Sequence, residues 1–225
     1  MNQVTPPEIS GTLRKFMVKV PTVIEQCSGI KFFGKTIKSI VFSTDISILR
    51  NVNGDAIIAV YPFTPQPIIT QAVMMATDKP VFCGVGGGLT QGKRVQNLAL
   101  HAEYQGASGV VLNAPTSNEV LKRVADTVDI PVIITVVSEN EDIAARIKNG
   151  ATVFNVSAAG KTPEIVAQIR SQYPDVAIIA TGGQSDDSIL RTIEAGANAI
   201  SWTPPTNGEI FKKIMQAYRE GLPHP

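Results

Sequence analysis

Few residues of this chain combine reactive chemistry with a position suited to a site. Asp45, in Ser43-Thr44-Asp45-Ile46, is a carboxylate directly after a short apolar run, where it either moves a proton for a bound substrate or caps the following helix. Two glycine clusters also follow apolar runs: Gly86-Gly87-Gly88, and Gly182-Gly183 preceded by Thr181. Without a Cβ in the way, the N–H groups of such clusters can approach an anion closely, and a helix starting behind them adds the positive end of its dipole. The first cluster serves equally well as a flexible flap, with Thr90 as the cap of the next helix. Asn155 and Ser157 alternate along the end of another run and therefore share one face of a strand. For Asn155 the alternative role is polar filling inside the fold. The two histidines, His101 within a helical stretch and His224 in the tail, lie away from these positions. Ser–His and Cys–His nucleophile systems are thereby removed, and a lone carboxylate makes a poor metal site, so no metal is expected.

The elements that must position these residues form a repeating pattern. From residue 39 onward, β-branched runs at 39–43, 56–60, 81–84, 109–112, 132–136, 152–156, 177–180 and 199–202 alternate with amphipathic stretches. Runs that are apolar on both faces are strands of a covered parallel sheet, and eight βα units predict a closed (β/α)8 TIM barrel. Gly106-Ala107, Gly150-Ala151 and Gly196-Ala197 lead into even-numbered strands as left-handed helix ends, with Gly54-Asp55 in the same slot. Prolines at 80, 131 and 174 lie just before odd-numbered ones. Aligning the units brings Tyr61, Asn113, Ser157 and Thr203 together with Asp45, Gly86, Val137 and Gly182 as a ring where loops converge over the carboxyl ends of the strands.

Residues 1–36 stand outside the pattern as an N-terminal extension, and 37–225 make up a single barrel domain. Residues 20–27 predict a short helix, and the Ile30-Lys31-Phe32-Phe33-Gly34 run is suited to cover the amino-terminal mouth of the barrel. An oligomer contact is the other reading, so a homo-oligomer is possible. With 44% hydrophobic and 17% charged residues, the 225-residue chain can bury a large aliphatic core. A net charge of +1 and the lack of a basic cluster interleaved with aromatics favour small-molecule partners over nucleic acid or a membrane. Two cysteines, Cys27 and Cys83, are expected to be free thiols of a cytoplasmic protein.

The stretch from Ala177 through Thr181-Gly182-Gly183 to Glu194-Ala195-Gly196-Ala197 resembles the seventh strand, loop and helix of phosphate-binding aldolase-type barrels, a superfamily that includes ribulose-phosphate-binding enzymes and many flavin-mononucleotide (FMN) enzymes. The resemblance implies a phosphate held at Thr181, Gly182 and Gly183. Those families complete the cup with a Gly-Ser or Gly-Thr after the eighth strand; here Thr203-Pro204-Pro205-Thr206 stands instead, and prolines have no N–H to donate. Thr203 or Thr206 would have to supply a hydroxyl, although Thr206 and Glu209 also make a capping box by themselves. Between Pro80 and Thr116 the chain also looks like Schiff-base aldolases of the dihydrodipicolinate-synthase type, through Gly84-Val85-Gly86, His101-Ala102-Glu103 and Asn113-Ala114-Pro115. Those enzymes need a lysine on the sixth strand, and that strand carries Asn155 here, which disfavours an imine mechanism.

These readings converge on a phosphorylated small metabolite as ligand and a lyase or isomerase reaction. Asp45, Asn155 and Ser157 are the candidate catalytic residues. Thr181, Gly182, Gly183, Thr203, Gly86, Gly87, Gly88, Tyr61 and Asn113 are the candidate binding residues. Two alternatives stay open: an FMN-dependent oxidoreductase with Tyr61-Pro62-Phe63-Thr64 as ring wall, and a non-catalytic metabolite sensor or scaffold on the same fold.

Overall fold

A computed structural model describes residues 17–224 together with Pro7, Ile9, Gly11 and Leu13; the rest of the N-terminal extension and Pro225 lie outside the described residues. The extension reaches the barrel through a 3-10 turn, Thr22–Gln26, and a two-stranded hairpin, β1 (Ile30–Phe32) and β2 (Lys35–Ile37). Phe32 and Ile37 are buried with the lumen side chains, and the ring of Phe32 lies 4.6 Å from that of Phe82. The hairpin is therefore a plug for the amino-terminal end of the barrel, as residues 30–34 suggested. The 3-10 turn packs elsewhere, since Ile24 and Cys27, each 1% exposed, join the core between strands and helices.

Eight parallel strands close the barrel: β3 (Ser39–Phe42), β4 (Ala56–Ala59), β5 (Val81–Gly86), β6 (Gly109–Leu112), β7 (Val132–Val136), β8 (Val153–Val156), β9 (Ala177–Thr181) and β10 (Ala199–Trp202), with β10 pairing back to β3. The helices between them are α1 (Ile46–Arg50), α2 (Pro67–Ala76), α3 (Lys93–Tyr104), α4 (Asn118–Ala125), α5 (Ile143–Lys148), α6 (Thr162–Gln172) and α7 (Asp186–Glu194), and α8 (Asn207–Arg219) ends the ring. The strand limits fall within two residues of those read from the sequence, because a strand covered on both faces must be apolar throughout.

Two cores follow from strand alternation. Ile40, Ile58, Phe82, Val111, Ile133, Val153, Ile179 and Ala199, one from each strand, fill the lumen, whereas the other face of each strand packs against the helices. Gly106, Gly150 and Gly196 adopt the left-handed conformation expected of helix ends, with φ of 94°, 96° and 111°. Gly54 does not belong with them. Its φ is not left-handed, and a Cβ there would stand 2.5 Å from Val41 Cγ2, so close packing under β3 is what requires glycine.

Candidate functional site

Two residues beyond the lumen layer, alternation brings Phe42, Val60, Gly84, Asn113, Thr135, Asn155, Thr181 and Ser201 to the carboxyl-end mouth. The mouth is divided. Strands β3 to β5 contribute apolar side chains and a glycine, and β6 to β10 contribute amides and hydroxyls. Thr135 and Ser201 were missed by the sequence reading, which aligned units on the ends of apolar runs; counting by twos from the lumen residues would have found both.

Asn155 is buried in the polar half, 9% exposed. Its Nδ2 lies 3.4 Å from Thr135 Oγ1, and its Oδ1 is buried without a hydrogen-bond partner. A buried acceptor left unpaired costs about 1–3 kcal/mol, which makes this oxygen a place where a donor is wanted. Beside it, Thr181 Oγ1 and Ser157 Oγ are 3.1 Å apart, so the two hydroxyls form one polar ledge across β8 and β9.

Over the apolar half lies a cavity of about 490 Å³ whose lining includes Phe42, Asp45, Tyr61, Asn113, Thr203 and Pro204. It adjoins a second, of about 250 Å³, which shares Tyr61 and Asn113 and reaches Gly86, Gly88 and Thr90. Asp45, Tyr61, Asn113, Thr203 and two glycines of the triplet are thus brought together. The carboxylate of Asp45 caps α1: Oδ1 accepts from the N–H groups of Ser47 at 2.9 Å and Ile48 at 3.2 Å, and Oδ2 accepts from Asn207 Nδ2 at 2.6 Å. The Tyr61 hydroxyl accepts from the N–H of Gln66 at 2.8 Å and so pins the loop after β4. Gly87 does not face the cavity. A Cβ there would collide with Thr116 Oγ1, so its role is to let the loops after β5 and β6 nest together. Thr90 does not cap α3; Gly92 holds that position, and Thr90 Oγ1 bonds Thr64 Oγ1 instead.

The Thr181-Gly182-Gly183 loop opens on a separate cavity of about 570 Å³ between the starts of α6 and α7, with Arg191 in its wall. The two glycines differ in function. Gly182 is buried, and a Cβ there would stand 2.8 Å from both Ile189 and Ile200, so it lets α7 close on β10. Gly183 is exposed with φ of 83°, a left-handed turn that sends the chain into α7. Ser185 and Ser188 close a capping box on that helix. On the β10 side, Pro204 and Pro205 offer no N–H, and the N–H of Thr206 is taken by Glu209 Oε2 at 2.7 Å. Capping of α8, not a ligand, explains Thr206. Trp202 packs against the outer core, not over the mouth.

Lysine chemistry finds no support in the geometry. Among the described residues no lysine lines the mouth cavities, and Lys161, after β8, pairs at the surface with Glu139 at 3.1 Å. The Tyr61-Pro62-Phe63-Thr64 stretch lines the cavity of about 250 Å³, with Phe63 exposed. No three His, Cys, Asp or Glu side chains converge among the described residues, and no helix there is long and apolar enough to cross a membrane.

No protein-family model and no curated protein sequence matches the chain. Solved structures do. A putative phosphonomutase from Burkholderia cenocepacia J2315 superimposes with a TM-score of 0.63 at 14% identity, covering 81% of this chain and 92% of the other. A putative dihydrodipicolinate synthetase from Pseudomonas aeruginosa gives 0.60 at 15% over 83% and 77%, and an aldolase designated QR15 gives 0.58 at 17% over 81% and 95%. At these identities the likeness establishes the fold alone, a TIM barrel.

Proposed function

We propose that the barrel mouth binds a small phosphorylated metabolite and that the chain is a lyase or isomerase with Asp45 as its proton-transfer group. The observation that carries the reading is the unpaired Oδ1 of Asn155, buried in the half of the mouth that otherwise offers hydroxyls and the amide of Asn113. A ligand hydroxyl would satisfy it, while the apolar half of the mouth takes the carbon skeleton. The phosphate belongs by chemistry at Gly183, where an exposed left-handed turn meets the start of α7 and Arg191 stands in the same cavity. Since Pro204 and Pro205 have no N–H and that of Thr206 is taken by Glu209, the anion would sit between the loops after β8 and β9, not between those after β9 and β10. Among the residues lining the two mouth cavities Asp45 is the sole carboxylate, which is why the proton-transfer role falls to it.

Thermal denaturation with a panel of three- to six-carbon sugar phosphates and their unphosphorylated counterparts tests this. A ligand at a hundred times its Kd stabilises by about 2.7 kcal/mol, a shift of roughly 5–10 °C for a domain of this size. At least one phosphorylated compound should give such a shift, with a smaller one from its parent sugar. No shift across the panel would end the proposal. One observation favours a second reading, a non-catalytic sensor: both oxygens of Asp45 already serve the fold as hydrogen-bond acceptors.

A further inference from the structure

The cavity of about 250 Å³ opens over the carboxyl end of β5, walled by the loops after β4, β5 and β6. The Gly183 turn follows β9. In the closed strand order β5 and β9 are four strands apart in either direction, so the cavity and the turn face each other across the mouth. Strands about 4.8 Å apart and tilted by about 36° give an eight-stranded barrel a diameter of roughly 15 Å. With C–C bonds of about 1.5 Å, a six-carbon sugar extends only about 8 Å from its phosphate. Anchored at Gly183, it comes within reach of Asp45, which follows a strand two places from β9, and stops short of the cavity beyond.

No charged side chain lines this cavity. Its hydroxyls are already engaged: Thr64 Oγ1 and Thr90 Oγ1 bond each other at 3.2 Å, and the Tyr61 hydroxyl accepts from the Gln66 N–H. Asn113 brings an amide on the side shared with the larger cavity, while Val60, Pro62, Pro65 and Val111 supply apolar wall. Gly84 gives it depth, because this glycine holds the mouth position of β5 where the neighbouring strands carry Val60 and Asn113. On the rim stand Phe63, 72% exposed, and Leu89, 92% exposed, on the two loops that the Thr64–Thr90 bond ties together. Two large apolar side chains exposed beside one cavity gain cover when an apolar group enters it.

We propose that this cavity is a subsite for an uncharged apolar group, a single aryl ring or a branched alkyl group, carried by the phosphorylated ligand at the end away from its phosphate. The inference rests on the phosphate lying at Gly183. A carboxylate in the subsite would shed its water with no cation to meet it, and Asp45 in the adjoining cavity would repel it. A polyhydroxylated end would find Asn113 as its one uncommitted side-chain partner. The ligand is therefore longer than a plain sugar phosphate: anionic at β9, hydroxylated where it crosses Thr181 and Asn155, and apolar at β5.

Calorimetric titration of the full-length protein tests this with inorganic phosphate and with phosphate monoesters of one six-carbon chain that ends in phenyl, hydroxyl or carboxylate. The phenyl-ended ester should bind at least about ten-fold more tightly than the other two esters, the gain expected from burying one ring. Phe63→Ser combined with Leu89→Ser, both exposed positions, should remove most of that gain and leave the affinity for inorganic phosphate unchanged. Binding of inorganic phosphate without a preference for the phenyl end, or a preference that persists in the double variant, would overturn the apolar subsite alone. Failure of every compound to bind, inorganic phosphate included, would end the phosphate reading and this inference with it.

Discussion

Asp45 has to serve the fold before it can serve a substrate. Its Oδ1 satisfies the first N–H groups of α1, and its Oδ2 ties that helix start to Asn207 at the head of α8. Asp45→Asn keeps an oxygen for the cap but sets one amide NH2 against another unless Asn207 turns, so denaturant unfolding should show a loss of about 1 kcal/mol. If the carboxylate moves a proton, turnover of an identified substrate should fall by about 10²-fold or more. Near-normal turnover in this variant would leave the sensor reading in possession. At Gly183 the backbone itself is the constraint: a Cβ would stand 2.5 Å from Ser188 Oγ. Gly183→Ala therefore carries the strain alone, and Gly183→Asp adds a charge where the phosphate should lie. Calorimetric titration with inorganic phosphate should show binding weakened in the alanine variant and abolished in the aspartate variant; equal affinity in the two would remove the anion from this loop.

At the scale of elements, β8 shows what a strand can reveal about a site. Its alternation was legible in the sequence, and Asn155 and Ser157 face the mouth as their spacing required. Thr135 and Ser201 escaped a reading keyed to the ends of apolar runs. That Thr135 lies beside Asn155 is set by the register between β7 and β8, which no single run of residues encodes. Thr181 and Gly182 make the same point, for adjacent residues of one motif point to opposite sides of the sheet, one to the mouth and the other under α7. The unpaired oxygen gives a prediction with a sign that packing alone would not produce: Asn155→Leu should leave the ligand-free protein as stable or more stable in thermal melts, while removing the ligand-induced shift. A loss of several degrees without ligand would mean that Asn155 is structural filling. Arg146 is the opposite case. It is 7% exposed, pairs with Glu141 at 2.7 Å and donates to the carbonyls of Thr116 and Ala114, thereby fixing the loop that carries Asn113 to α5. Arg146→Met leaves Glu141 unpaired and the carbonyls of Thr116 and Ala114 and the Oδ1 of Asn118 short of a donor, so urea unfolding should show a cost of about 3 kcal/mol, and a cost below about 1 kcal/mol would contradict this role.

For the molecule as a whole, closure of the barrel was legible because the eight strands are nearly continuous in apolar residues, and the bottom plug because the apolar run at 30–34 falls outside the eight repeating units. The course of residues 17–27 was not, since a 3-10 turn that fills the outer core has no periodicity to read. That turn and β5 hold the two thiols. Burial pushes Cys27 up to about 11, with Lys38 opposing, and Cys83 up to about 12. The unfolded chain releases these protons near 9, so its deprotonation draws the equilibrium toward unfolding as pH rises. Stability from this source is intact below about pH 9 and should decline between about 9 and 12, together with thiol labelling that is slow in native protein and complete in denaturant. Flat stability across that range would contradict the burial of both groups. The central claim, that the mouth holds a phosphorylated metabolite on Asn155 and the Gly183 turn, is tested most directly by native mass spectrometry of the wild type, Asn155→Leu and Gly183→Asp after incubation with the sugar-phosphate panel. The wild type should retain one compound at a one-to-one ratio and each variant should lose it; retention of the same compound by all three, or by none, would contradict the account.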